Sequence, residues 1–125
     1  MSDASTTWSV TLRSGSTAQA LSQGLPAAPT GVAAACTGLL LSPKANVTWS
    51  AVTHATSYAV FQSSTSSTSG FSQVASGIVT TSWTSSALGT GTFWFRVVAY
   101  DGTNWAGPQS SSSNSITVII NVSCT

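Results

Sequence analysis

Charge is what this sequence has least of. Only 4% of its 125 residues are charged and the formal net charge is +1, against roughly a quarter charged in an ordinary soluble domain. There is no glutamate; the carboxylate side chains are Asp3 and Asp101, and the basic ones are Arg13, Lys44, Arg96 and His54. Each scarcity excludes a chemistry. Glycoside hydrolysis usually takes two carboxyl groups flanking the bond, and Asp3 and Asp101 stand at distant places in the chain. A serine nucleophile needs a base and an orienting acid. The one histidine, His54, lies in the short link Thr53-His54-Ala55, where a solvent-exposed turn residue is expected. Nucleophile elbow, phosphate loop and dinucleotide fingerprint are all missing. Carboxylates are too few for a tight calcium site. The expectation is a protein that is not an enzyme, with no catalytic residue, cofactor or metal.

The same lack bears on partners. A near-neutral chain has no electrostatic footprint for nucleic acid or anionic lipid. It also has no run of 18 apolar residues that would insert into a membrane. No intact signal peptide is visible, and Met1-Ser2-Asp3 reads as a start put in place of a removed targeting segment. Solubility has to come from Ser, Thr, Asn and Gln, a surface that favours an extracellular location. Cysteine is scarce too, with only Cys36 and Cys124. Without a CxxC pair or a histidine cluster they do not suggest zinc. Two buried thiols or one disulfide remain.

What is present is strand signal. No stretch keeps a helical period over the 11 or more residues a helix needs. Short runs of Val, Thr, Trp, Tyr and Phe recur instead, punctuated by Gly, Ser and Asn, as in an all-β sandwich of single-domain length. Residues 7–13 alternate cleanly, with Trp8, Val10 and Leu12 on one face. Residues 14–28 read as a linker stiffened by prolines, so the chain divides into 1–25 (strand and linker) and 26–125 (main domain). Strands are then expected over 30–36, 45–50, 57–63, 71–75, 80–84, 92–100 and 115–122. Residues 63–70 and 102–114 read as long polar loops. Two glycosylation sequons, Asn46-Val47-Thr48 and Asn121-Val122-Ser123, fall inside expected strands, where a glycan acceptor is out of place.

Five segments in order give residues 26–124 a family likeness. They are Pro29-Thr30-Gly31-Val32, then Trp49 within Val47-Thr48-Trp49-Ser50, then Ala55-Thr56-Ser57-Tyr58-Ala59-Val60. Leu88 and a glycine turn leading to Phe93, Phe95 and Val97 follow, and then Ser112-Ser113-Asn114-Ser115-Ile116-Thr117-Val118. Together they resemble a fibronectin type III domain of the extracellular bacterial type. The resemblance implies a seven-stranded antiparallel immunoglobulin-like sandwich. It also implies that the first and last strands end at one pole, which would pair Cys36 with Cys124. A bond closing so long a loop stabilises by about 4–5 kcal/mol in the chain-entropy model. One position departs from the family: Phe93 stands where a corner tyrosine is usual, so that hydroxyl's hydrogen bond, about 1 kcal/mol, is lost. An Arg-Gly-Asp tripeptide is absent from Asp101-Gly102-Thr103-Asn104-Trp105, so integrin binding by that route is not implied.

With chemistry excluded, surface remains. If Phe93, Phe95 and Val97 face inward, then Trp94, Arg96, Val98 and Tyr100 face out. By the same parity Phe61 and Ile119 join them, giving an expected interaction face of Phe61, Trp94, Val98, Tyr100 and Ile119, with Trp105 in a loop nearby. Apolar patches of this kind mark interfaces, unless loops cover them. The leading expectation is a structural or interaction module at a cell surface. It would self-associate, as a cell-surface or filament subunit, by adding strand 7–13 to a sheet edge. A carbohydrate-binding accessory module using Trp94, Tyr100 and Trp105, or a passive spacer of a secreted enzyme, are the alternatives.

Overall fold

A computed structural model describes residues 25–125; the expected strand 7–13 and most of the linker lie outside them. Every regular element described is a strand. They are β1 (Ala33–Leu39), β2 (Ser42–Thr48), β3 (Ser57–Ser63), β4 (Ser72–Ile78) and β5 (Ser82–Thr84). β6 (Gly91–Asp101), β7 (Trp105–Ala106), β8 (Ile116–Ile119) and β9 (Ser123–Cys124) complete the order. A smaller sheet runs β1-β2-β5 and a larger one β4-β3-β6-β8-β9, with β7 paired to β6. All pairings are antiparallel.

The two sheets close on the residues that the alternating pattern turns inward. β6 contributes Phe93, Phe95, Val97 and Ala99, β2 contributes Ala45 and Val47, and β8 contributes Ile116 and Val118. All are buried, and each large aliphatic or aromatic among them is worth about 1.5–3 kcal/mol relative to leaving it in water. Trp49 and Tyr58 pack edge to face with ring centroids 5.4 Å apart. The Tyr58 hydroxyl accepts a hydrogen bond from the Val52 amide at 3.0 Å, so one ring both fills the core and fixes the β2–β3 loop. Phe93 is buried as expected.

Three expectations need correction. The first hairpin lies further along the chain: β1 ends at Leu39, opposite Ser42, so Leu40 and Leu41 form its turn. Leucines carry no turn signal, and the pattern gave no reason to bend the chain there. The last strand is not continuous over 115–122. It stops at Ile119, and Val122 donates to the Ile119 carbonyl at 2.9 Å. Asn121 takes φ 64°, a left-handed conformation that asparagine tolerates better than most residues. β9 then folds back on β8. Beyond Gly91, the partner of Val118, β6 supplies no further strand to pair with. Consequently Ile120 and Val122 are exposed rather than core, and the second sequon sits in a turn.

The third correction concerns residues 102–114. After β7 they do not loop into solvent but run along β6 in a three-for-two stride. Gly107, Ser110 and Ser113 donate their amides to the carbonyls of Ala99, Val97 and Phe95 at 2.8–2.9 Å. The hydroxyls of Ser110 and Ser113 accept from the amides of Val97 (2.9 Å) and Phe95 (3.0 Å) in return. Serine side chains thus stand in for strand carbonyls, and buried backbone groups that would otherwise be costly are satisfied. The entry to the domain is held similarly close: a Cβ on Gly107 would collide with the Pro26 carbonyl oxygen.

Candidate functional site

The outer face of the larger sheet only partly matches the expected interaction face. Trp94, Arg96, Val98 and Tyr100 do alternate away from the core, and Phe61 on β3 lies opposite Arg96. Val98, however, is 5% exposed. It stands between Arg96 and Tyr100 on its own strand and opposite Ala59 on β3, a small residue flanked by larger ones. Trp105 pairs with Asp101, and Ala106 pairs with Tyr100, so Ala106 rather than Trp105 shares the face with Tyr100. Ile119 lies past the Thr92–Thr117 pair, a full strand's length from Tyr100. The six residues are not one patch. Trp94, Tyr100 and Trp105 do not form a stacking platform either.

Arg96 divides the face. Its guanidinium lies 4.4 Å from the centre of the Phe71 ring, a cation–π contact. It donates to Ser112 Oγ at 3.0 Å, to Gln109 Oε1 at 3.2 Å and to the Ser67 carbonyl at 3.0 Å. Ser112 Oγ also donates to the Ser67 carbonyl. The loop after β3 is organised by hydroxyls: buried Ser63 Oγ donates to the Ser69 carbonyl at 2.6 Å and accepts from the amides of Thr65 and Ser66. The 63–71 segment is therefore tied by Arg96 to the 107–115 segment that runs beside β6. The covering of an apolar face by its own loop, one of the two readings open at the sequence, is in part what the fold does.

A different surface concentrates exposed apolar side chains. β2 runs from the β1–β2 turn to the opposite end of the sandwich, and β8 runs back toward that turn. The β1–β2 and β8–β9 turns therefore meet at one pole, where the Asn121 amide donates to the Leu40 carbonyl at 2.9 Å. The Ile120 amide donates to Thr90 Oγ1 at 3.1 Å. Leu39, Leu40, Leu41, Ile119, Ile120 and Val122 are six of the nine exposed large hydrophobic residues among those described. Leu39, Leu41 and Val122 are 76%, 71% and 65% exposed, so the two turns at this end present aliphatic side chains, with Lys44 close by on β2 opposite Thr37. Just beneath it, Cys36 and Cys124 form a disulfide across Cα atoms 5.8 Å apart. The bond joins β1 of one sheet to β9 of the other. Alternation assigned Ile120 and Val122 to the core, and Leu39 to Leu41 drew no attention. Three successive leucines beside a glycine were the available signal.

The order of strands, the paired sheets and the buried Trp49 decide the fold, and solved structures agree. A Fn3-like protein from Clostridium thermocellum is 28% identical with a TM-score of 0.62, over 71% of this chain and 90% of that one. It has the fibronectin type III fold. The titin kinase with its flanking domains matches at 21% identity and TM-score 0.60, over 75% of this chain and 17% of that one. The fibronectin type III domain of human fibronectin type III domain containing protein 3 matches at 18% and 0.52, over 76% and 90%. No family model matches the sequence, and no curated protein does.

The fibronectin type III sandwich holds its few titratable groups apart. Among the described residues no three of His, Cys, Asp and Glu come together to hold a metal. His54 takes φ 68° in an exposed turn, and Asp101 is exposed at the end of β6. Among the described residues no helix is long and apolar enough to cross a membrane.

Proposed function

We propose that this chain is a non-catalytic, extracellular structural and interaction module that self-associates by adding strand 7–13 of one copy to another. The observation that carries the reading is where the core ends. The described residues 25–125 build an apolar core from both sheets, and the well-patterned segment with Trp8, Val10 and Leu12 stands ahead of it in sequence, beyond a linker. A strand needs partners for its backbone groups, and addition to another chain supplies them. The disulfide fits an oxidising, extracellular setting, and the hydroxyl-rich surface fits a bacterial-type cell surface. A head-to-tail addition does not close on itself and builds a filament.

Light scattering and negative-stain microscopy on the oxidised full chain, beside a version starting at Gly24, test this. Assemblies in the first sample that vanish in the second are the expected result. Monomers in both would leave a spacer or a carbohydrate-binding module.

A further inference from the structure

The aliphatic pole and Leu25, where the described residues begin, lie at opposite ends of the sandwich. Leu25 and Pro26 line a shallow pocket with Val52, Thr53 and His54, at the end where β2 finishes. The Thr30 carbonyl accepts from the Ser50 amide there at 2.9 Å. The chain enters at this end and β1 carries it to the leucine turn. From Thr30 to Leu40 the extended chain covers about 33 Å, at about 3.3 Å per residue.

That distance bears on which molecule the segment can reach. Residues 14–24 separate Arg13 from Leu25, and a chain of that length spans at most about 40 Å when fully stretched. Leu12 could return to its own molecule's far pole only along a taut path down the whole sandwich. A second molecule stacked end-on would bring its pole directly beside Leu25. The chemistry matches as well. Trp8, Val10 and Leu12 alternate as one apolar face, and the exposed side chains of the two turns are aliphatic.

We propose that the pole formed by the two turns receives Trp8, Val10 and Leu12 of a second copy, so that molecules join head to tail. This rests on the self-association reading above and names the surface it uses. Burial of three apolar side chains against exposed leucine and valine supplies the attraction, and the disulfide beneath holds the two turns together as one receptor.

The test uses two full-length variants. One carries Trp8→Ser, Val10→Ser and Leu12→Ser, keeping the pole; the other carries Leu39→Ser, Leu41→Ser and Val122→Ser, keeping the segment. All three pole positions are exposed, so the second variant should fold, as its circular dichroism and its intact disulfide would report. Each variant alone should be a monomer by light scattering, while an equimolar mixture should double in mass to a 1:1 pair that grows no further. Persistent assembly of the pole variant alone would overturn the proposal and leave strand addition standing at another edge. Self-association of the segment variant alone would show pole meeting pole, also overturning it. A monomeric wild-type chain would remove the self-association reading itself.

Discussion

The two ends of this sandwich are closed by different means. At the end where the chain enters, Trp49 and Tyr58 turn inward, and Tyr58 holds the Val52 amide. The loops outside them carry Thr53, His54, Asp101 and Asn104, which are exposed. At the other end the closure is covalent. The Cys36–Cys124 bond ties the sheets, and the aliphatic residues around it point outward. An end sealed by packing must spend its large apolar side chains on the core. An end sealed by a disulfide can leave them on the surface, where the proposed docking would use them.

The largest break in this comparison is expected at the packed end. Trp49→Ala should cost about 3–5 kcal/mol through the cavity it leaves, read as a lower urea midpoint. Replacing Cys36 and Cys124 with alanine should cost about 2–4 kcal/mol, the usual span for a native disulfide. It should also speed hydrogen exchange at the amides of Asn121 and Thr125, whose bonds belong to the turn that the disulfide holds. If exchange rises equally at both ends, the disulfide is a global staple and the contrast drawn here fails. The smallest effect on stability should come from Leu39→Ser with Leu41→Ser, within about 0.5 kcal/mol because neither is buried. A loss much greater than that would place the leucines in the core's account and remove them from the surface.

Much of the fold was legible because β6 obeys strict alternation: Phe93, Phe95, Val97 and Ala99 declare one buried face. β3 has the bounds its sequence suggests, Ser57–Ser63. Alternation tells which side a residue takes, not what lies above it. Val98 points outward yet is buried, because its neighbours enclose it. Gly107, Ser110 and Ser113 meet β6 at a period of three, which matches neither strand nor helix, so their segment reads as loop. The aliphatic pole was hidden by the rule that found the core. Ile120 and Val122 keep the phase of Ile116 and Val118, but the chain reverses at Asn121 before they can use it. The disulfide pairing was implied by the family likeness, since two cysteines so far apart in sequence carry no spacing signal of their own.

A protein with so few charges has little mutual repulsion to keep copies apart, and near-neutral chains tend to precipitate. Its bare strand edges would be the natural place for indiscriminate sticking. Along β6 that hazard is removed by the hydroxyls of Ser110 and Ser113, which occupy the amides of Val97 and Phe95 that a foreign strand would need. The serine-rich flank thus works as solubility insurance: it denies adventitious chains a template along β6.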